Sequence, residues 1–306
     1  MISLEHITNF FRGRLTLGEP LAKYTSFRIG GPADFYIEPA DRDDLLDLIQ
    51  YLGRENIPFV VLGCGSNVLV SDEGLRGVVI NLEHGLNRIH IDDGIVNAEA
   101  GVRMGKFVDF CIQHGFGGVE MLAGIPGTIG GGVVMNAGAY GGEIANHFVS
   151  VEIIRDGKVV ELKKEECGFA YRRSNFSRDI VLKARFRFSL GDKAEMIKQR
   201  RELLLRRNLS QPLNLPNSGS VFKNPAGQYA AKLIEECGLK GTRRGKAQIS
   251  EKHGNFIVNH GGATAMNVIE LIELARRTVR DKFGVTLEPE VKLLGFSEEV
   301  YQGVYS

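Results

Sequence analysis

The sequence predicts an α+β fold, with a glycine-rich body of about 200 residues and a C-terminal domain of about 100 residues. Three observations support this prediction. Apolar residues recur at helical spacing in some segments and alternate in others. Glycine supplies 38 of the 306 residues, more than the average of about 7%. The segment at 211–217, with two prolines, has the composition of a domain boundary.

The first third of the chain alternates between strand and helix patterns. A helix is predicted over residues 41–53, because Asp41 can cap it and apolar residues then recur at helical spacing at Leu45, Leu48, Ile49 and Leu52. Three short apolar or alternating runs predict strands, at residues 34–38, 58–62 and 77–82.

The middle third is predicted to be mostly β, with one clear helix at residues 104–114 that ends before Gly115. The pair Asp156-Gly157 predicts a hairpin turn between strands at 151–155 and 158–162. Alternation of apolar and basic residues over 182–188 predicts a strand with one buried face.

The last third is predicted to contain three helices and a final strand. A charged helix connects the two parts of the chain, two amphipathic helices follow the proline segment, and a final strand carries the sequence LEPEV. These elements are expected at residues 192–208, 228–237, 264–283 and 286–294.

Charge and cysteine content exclude several classes of protein. The net charge of +1 lacks the basic excess of a dedicated nucleic-acid binder. The cysteines and histidines show no metal-ligand or redox-motif spacing, so reduced thiols, no metal and a cytoplasmic location are expected. Residues 121–142 are uncharged and long enough to span a bilayer, but their eight glycines, Pro126 and Asn136 indicate a loop-rich ligand site instead.

Two glycine-rich segments are candidate anion sites. Residues 63–67 (GCGSN) follow a predicted buried strand, and glycine allows a backbone turn to point several N–H groups at an anion. A tight turn between strands is the alternative for this segment alone. The second segment, residues 124–142, has more glycine than a turn needs and suits close approach to a large phosphate-bearing cofactor.

These motifs together resemble the UDP-N-acetylenolpyruvoylglucosamine reductase family. The resemblance covers about residues 20–296, and its motifs are TSFRIGGPA at 25–33, LGCGSNVLVSD at 62–72, AGIPGTIGGGVVMNAGAYGGE at 123–143, YRRSNF at 171–176, GSVFKNP at 219–225 and LEPEV at 287–291. Cys64 stands where the family usually has glycine. The chain is also similar to the short branch that lacks an extra substrate-gripping loop.

The resemblance implies a fold, a cofactor and a reaction. The fold is the vanillyl-alcohol oxidase/p-cresol methylhydroxylase type, with FAD-binding subdomains at residues 1–85 and 86–208 and a substrate-binding domain at 209–306. The reaction is NADPH-dependent reduction of UDP-N-acetylglucosamine enolpyruvate to UDP-N-acetylmuramate in bacterial peptidoglycan precursor synthesis. FAD is expected to be non-covalent, and NADPH is a co-substrate.

Residue roles are carried over from the family motifs. Ser220 matches the proton donor, and Arg172 matches the arginine that faces the substrate carboxylate, where a guanidinium stabilises an enolate. Glu290 matches the active-site glutamate, which is expected to share a proton or to pair with Arg172. Candidate substrate contacts are Tyr140, Lys223 and Asn224; Lys223 could equally be a surface lysine. Candidate cofactor-binding residues are Gly63, Cys64, Gly65, Ser66, Asn67, Gly124, Pro126, Gly127, Gly130 and Asn136.

Two other functions fit the same residues. One is a different FAD-dependent oxidase of this fold, in which Cys64 could hold the flavin covalently. The other is a non-catalytic module that binds a nucleotide sugar. The contacts to the UDP diphosphate are left open. Among three arginine clusters, Arg243-Arg244 is the better candidate, and a solvated helix face is expected for Arg200-Arg201 and Arg206-Arg207. The sequence indicates no nucleic-acid or membrane partner, and a monomer is expected.

Overall fold

The computed structural model describes Ile7, residues 9–176 and residues 178–306. The chain divides into two compact units, each with its own buried apolar cluster. Unit 1 consists of residues 1–17, 35–64 and 77–206, and unit 2 consists of residues 18–34, 65–76 and 207–306. The three-domain division stays a prediction. No sequence pattern indicated that residues 18–34 and 65–76 group with the C-terminal residues.

Unit 1 contains an antiparallel five-stranded sheet, which consists of β6 (Ile89–Asp92), β7 (Ile95–Glu99), β11 (Phe148–Arg155), β12 (Lys158–Lys163) and β13 (Ile180–Arg187). Their order across the sheet is β12-β11-β13-β7-β6. The hairpin predicted at Asp156-Gly157 is confirmed, with Arg155 opposite Lys158. The alternation in β13 is also confirmed: Leu182, Ala184 and Phe186 are buried, whereas the intervening Lys183 and Arg185 are partly exposed.

A second sheet, mostly of unit 1 residues, consists of β1 (Arg14–Pro20), β2 (Pro32–Glu38), β3 (Phe59–Val61) and β5 (Leu75–Ile80). Their order across the sheet is β1-β2-β5-β3. Strand β3 pairs with β5 in parallel, with Phe59 opposite Val78. The parallel pairing explains why these short strands are apolar runs, since both faces of such strands are commonly covered.

Four helices belong wholly or mostly to unit 1: α1 (Arg42–Arg54), α2 (Met104–Gln113), α3 (Ile129–Val134) and α4 (Lys193–Ser210). Helix α1 begins as predicted, because the Asp41 side chain accepts a hydrogen bond from the Asp44 amide at 3.0 Å. Short two-stranded pairs complete the unit, formed by β8 (Phe116–Gly117) with β14 (Ser189–Leu190) and by β9 (Gly138–Ala139) with β10 (Gly142–Glu143).

Unit 2 packs three helices with two small sheets. The helices are α5 (Ala230–Glu236), α6 (Ala265–Phe283) and α7 (Glu298–Tyr305). One sheet consists of β15 (Arg243–Arg244), β16 (Ala247–Ile249) and β17 (Ile257–Asn259); in the other, β4 (Val68–Val70) runs parallel to β18 (Lys292–Leu294). Helix α6 has the predicted ends, with Thr264 as N-cap and Gly284 left-handed at φ 68°.

The predicted loop-rich segment at residues 121–142 also contains a helix that the sequence did not indicate. This is helix α3, in which three successive glycines follow Ile129. Close packing against neighbouring residues outweighs the poor helix propensity of glycine there. The final strand is shorter than 286–294 and covers only Lys292–Leu294. Pro289 has no N–H for a ladder, and this segment makes only an isolated bridge to Phe222.

The part of the chain that the structure describes has no helix with both the length and the apolar character needed to cross a bilayer. The same residues hold no cluster of three or more side chains of the types that bind metal ions. All four cysteines are free thiols.

Candidate functional site

The first glycine loop requires glycine at Gly65. Its φ is 57°, in the left-handed region that disfavours side chains. A Cβ atom at this position would also collide with the carbonyl oxygen of Tyr24. The Gly65 carbonyl accepts a hydrogen bond from the Ser26 amide at 3.0 Å, which fixes the turn from outside. The loop is therefore a tight backbone turn in a fixed position.

The geometry of this loop suits an anion. The backbone N–H groups of Cys64 and Gly65 have no acceptor among the residues that the structure describes. Gly63, Cys64 and Ser66 are all partly exposed. Gly65 itself is buried, so of these two N–H groups only that of Cys64 belongs to a partly exposed residue. Adjacent N–H groups in a glycine turn can bind phosphate oxygens, and the role of this loop in binding FAD stays a prediction.

Within unit 1, the second glycine segment lies against the first. A Cβ atom at Gly63 would be 2.7 Å from the Thr128 hydroxyl oxygen. The thiol of Cys64 interacts with the backbone N–H of Gly127. Residues Gly124 and Gly127 both have positive φ, at 75° and 122°. Only small residues allow the two backbones to approach this closely.

Helix α3 uses its N-terminal amides within the protein. The amides of Ile129 and Gly130 donate to the carbonyls of Val102 and Ala100, each at 2.8 Å. The next amide, from Gly131, donates to the Thr128 hydroxyl at 3.4 Å. Gly130 provides close packing, since a Cβ there would be 3.0 Å from that of Ala100. The turn before the helix is accessible at Gly124 and Pro126, which are exposed, as are Gly131 and Gly141 further along the segment.

Cys64 is held as a neutral thiol. Burial, followed by the negative charge of Glu83, raises the pKa of Cys64 to about 12, and the nearby Arg103 opposes this only in part. Glu83 is engaged by Arg103, whose Nε donates to the carboxylate at 2.6 Å. A thiol is nucleophilic only as its thiolate. The structure therefore favours the expected non-covalent flavin over attachment through Cys64.

In unit 2, three distant sequence motifs meet. The Glu290 amide donates to the carbonyl of Val221, the residue after Ser220, at 2.8 Å. The side-chain amide of Asn67, from the first glycine loop, donates to the Glu290 carbonyl at 3.1 Å. The side chains of Ser220 and Glu290 are both partly exposed. The predicted proton donor and glutamate are thus on adjacent, hydrogen-bonded segments.

Lys223 and Asn224, two predicted substrate contacts, have protein partners in unit 2. The Lys223 ammonium lies 2.5 Å from the Glu288 carboxylate, and the Lys223 side chain is only 17% exposed. The side-chain oxygen of Asn224 accepts a hydrogen bond at 3.1 Å from the amide of Ala230, the first residue of helix α5. Both residues are therefore fixed in position, and their role in substrate binding stays a prediction.

Tyr140 packs against helix α4. Its hydroxyl donates to the Leu203 carbonyl at 3.4 Å, and the Arg206 guanidinium lies 5.5 Å from the centre of its ring. A cavity of about 310 Å³ lies beside this pair and is lined by Met121, Gln199, Glu202, Leu203 and Arg206. Arg206 is exposed, as expected for a solvated helix face, and its guanidinium also contacts the ring of Tyr140, a predicted substrate residue.

The other candidate arginine pair lies on the exposed strand β15. Arg244 is 3.6 Å from Glu270. Its Nη1 also donates to the Arg243 carbonyl at 2.9 Å.

Arg172 occupies the tip of a tight turn in unit 1. Ala170 and Arg173 exchange two backbone hydrogen bonds, of 3.0 and 3.1 Å, which leaves Tyr171 and Arg172 as the central residues. Arg172 has a φ of 53°, although glycine or asparagine is preferred where a turn needs positive φ. Of the seven described non-glycine residues with positive φ, three are predicted site residues: Asn136, Tyr140 and Arg172. Such strain concentrates where function requires a particular side chain.

The structure also adds contacts that the sequence did not indicate. The Glu83–Arg103 pair beside Cys64 and the packing of Arg206 on Tyr140 join residues that are 20 and 66 positions apart. No local pattern marks such pairs. Ser174 was visible as part of the YRRSNF motif, but its contact with Val134 follows only from the fold.

The fold and the paired glycine loops define the chain as an FAD-dependent oxidoreductase. A family model of the FAD binding domain matches residues 33–163, and one of the C-terminal domain of UDP-N-acetylenolpyruvoylglucosamine reductase matches residues 211–294. The UDP-N-acetylenolpyruvoylglucosamine reductase of Chloroherpeton thalassium is 46% identical, with 98% of this chain and 99% of that protein aligned. The UDP-N-acetylenolpyruvoylglucosamine reductase of Caldanaerobacter subterraneus is 45% identical, with 92% of this chain and 94% of that protein aligned.

The comparison with solved structures agrees. The crystal structure of UDP-N-acetylenolpyruvylglucosamine reductase from Thermus caldophilus matches with a TM-score of 0.80 at 37% identity, and the match covers 93% of this chain and all of that one. The chain belongs to the UDP-N-acetylenolpyruvoylglucosamine reductase family. The FAD-binding fold that the resemblance implied is confirmed.

We expect Gly65→Ala to weaken flavin binding by at least tenfold, because the new Cβ would collide with the Tyr24 carbonyl and the backbone would remain left-handed. Gly94→Ala is the matched control, since Gly94 also has positive φ (71°) but no atom within 4 Å of a new Cβ. Flavin absorbance per chain and the thermal midpoint measure the effect. Full flavin content and an unchanged midpoint in Gly65→Ala would contradict the close approach.

We also expect denaturation to release all of the flavin from the chain, because the Cys64 thiol is neutral at physiological pH. Acid precipitation followed by absorbance of the pellet and the supernatant measures this. Cys64→Ser should bind flavin as the native chain does. Yellow colour that stays with the native pellet and is lost with Cys64→Ser would show a covalent bond.

Proposed function

We propose that this protein reduces UDP-N-acetylglucosamine enolpyruvate to UDP-N-acetylmuramate, with NADPH as the reductant, in the cytoplasmic synthesis of peptidoglycan precursors. The observation that carries the proposal is the meeting in unit 2 of the Asn67, Ser220 and Glu290 segments, three motifs of the family to which the chain belongs. We propose that it acts as a monomer.

The chemistry supplied by bound FAD is hydride transfer, from NADPH to the terminal methylene carbon of the enolpyruvyl ether. The residues that would hold FAD are those of the two adjacent glycine segments: Gly63, Cys64, Gly65, Ser66 and Asn67 in the first, and Gly124, Pro126 and Gly127 in the second. The free N–H groups of Cys64 and Gly65 would bind the diphosphate. Gly130 and Asn136 support the second segment from within the protein.

Arg172 binds the carboxylate of the enolpyruvyl group. When hydride arrives at the methylene carbon, the electrons of the double bond move to the neighbouring carbon and into the carboxylate. A guanidinium binds a carboxylate with two parallel hydrogen bonds and stabilises the added charge. The position of Arg172 at a strained turn supports this role, because that geometry is costly and needs a compensating function.

Ser220 donates a proton to the carbon next to the carboxylate, and water then restores the serine hydroxyl. A hydroxyl is a weak acid, so this transfer needs the strongly basic enolate carbon as acceptor. Glu290 is hydrogen-bonded through its backbone to Val221, next to Ser220, which supports a role beside the proton donor. The expected pairing of the Glu290 carboxyl group with Arg172 stays a prediction.

Tyr140, Lys223 and Asn224 are the proposed contacts to the rest of the substrate. Lys223 is held by Glu288 and Asn224 by the start of helix α5, so each would present its group from a fixed position. The cavity beside Tyr140 adds Arg206 as a cation of unit 1 for the diphosphate.

We expect Ser220→Ala to reduce the turnover of the enolpyruvyl substrate by about 10²–10⁴-fold, the usual contribution of a general acid. Rapid mixing with NADPH should still bleach the flavin at the native rate, because hydride uptake needs no proton from Ser220. Ser218→Ala is the matched control, since Ser218 is two residues away and buried. Native turnover in Ser220→Ala would remove Ser220 from the mechanism. A protein that binds the nucleotide sugar without consuming NADPH would be the non-catalytic module.

A further inference from the structure

Helix α3 and the residues that follow it lie beside the turn that carries Arg172, and two side-chain hydrogen bonds join them in unit 1. The Ser174 hydroxyl donates to the Val134 carbonyl, at the last residue of the helix, at 2.7 Å. The Asn136 side chain donates to the Ala170 carbonyl at 3.1 Å, and its oxygen accepts from the Ala145 amide at 3.1 Å. These are direct bonds between two motifs that are separate in the sequence.

The bonds hold both ends of the turn. Ala170 is the residue before the two central positions, and Ser174 directly follows Arg173, which closes the turn. The last residue of helix α3 and Asn136, two residues beyond it, thus hold the backbone on the two sides of Arg172. The Val134 carbonyl at a helix end has no partner inside the helix, so the Ser174 hydroxyl also satisfies that group.

The turn needs such support because Arg172 has a left-handed backbone, with φ 53°. This conformation costs a non-glycine residue free energy, and the turn would relax to another geometry without external contacts. Asn136 is fully buried and uses both ends of its side-chain amide on protein backbone. Its own φ of 43° is one that asparagine tolerates better than most residues.

We propose that Ser174 and Asn136 are positioning residues, which hold the Arg172 turn in the geometry that binds the substrate carboxylate. This inference rests on the role proposed for Arg172. Neither residue contacts the substrate; they act through the backbone of residues 170–174. The same short helix packs at its other end against the first glycine loop, through Thr128 and Gly63. One rigid element therefore holds both the flavin loop and the carboxylate-binding arginine.

Ser174 is the better residue to test, because it is only partly buried and Asn136 variants risk failing to fold. We expect Ser174→Ala to weaken the binding of UDP-N-acetylmuramate, which has the carboxylate, by about tenfold, the value of one ordinary hydrogen bond. Binding of UDP-N-acetylglucosamine, which has no such carboxylate, should stay within twofold, as should flavin reduction by NADPH. Ser174→Thr keeps the hydroxyl and should restore binding.

Thr278→Ala is the matched control. Thr278 also donates a hydroxyl to a backbone carbonyl, that of Leu274, at 2.8 Å, and is partly buried, but it lies in helix α6 of unit 2. Thr278→Ala should change the binding of neither UDP-N-acetylmuramate nor UDP-N-acetylglucosamine. On an Arg172→Ala background, Ser174→Ala should have no further effect on UDP-N-acetylmuramate binding, since a positioning residue acts only through its target.

The outcomes separate the positioning role of Ser174 from the carboxylate-binding role of Arg172. If Arg172→Ala weakens UDP-N-acetylmuramate binding and Ser174→Ala does not, the positioning role is wrong and the role of Arg172 stands. Equal weakening of both ligands by Ser174→Ala would show a merely structural contribution and would also overturn the inference. If Arg172→Ala leaves UDP-N-acetylmuramate binding unchanged, the carboxylate-binding role of Arg172 is wrong.

Discussion

The close approach of backbone segments at glycine is the constraint on which the site depends. Gly63 leaves room for Thr128, and Gly65 turns in the left-handed region against the Tyr24 carbonyl. No side chain fits at either point. The N–H groups of Cys64 and Gly65 in this turn have no acceptor among the residues that the structure describes. Turns of this kind suit an anion, and binding of the flavin diphosphate is the role proposed for this one.

Helix α3 is the second element on which the site depends. Its sequence, IGGGVV, has poor helix propensity, and it persists because Thr128 caps its start and its glycines pack against Ala100 and Ile144. Its far end accepts the Ser174 hydroxyl, and the following Asn136 holds Ala170. Six residues of helix thus lie between the first glycine loop and the turn of Arg172.

Regular elements with strong periodicity were predictable from sequence. Helices α1, α2 and α6 and the β11–β12 hairpin match because their caps, apolar spacing and turn residues all agree. Helix α3 was missed because tertiary packing overrides glycine propensity, and the last strand was overextended because Pro289 interrupts the ladder. The Glu290 and Ser220 segments were predictable as motifs. Their bond through Val221, like the Cys64–Glu83–Arg103 contact, depends on long-range folding that no local pattern contains.

The visible absorbance of the purified protein under anaerobic conditions tests most directly whether the chain binds FAD and uses it to reduce the enolpyruvyl ether. The purified protein should show flavin absorbance, which one equivalent of NADPH bleaches and one equivalent of UDP-N-acetylglucosamine enolpyruvate then restores, with UDP-N-acetylmuramate as the product. A colourless protein, or a reduced flavin that the enolpyruvyl substrate does not reoxidise, would contradict the account.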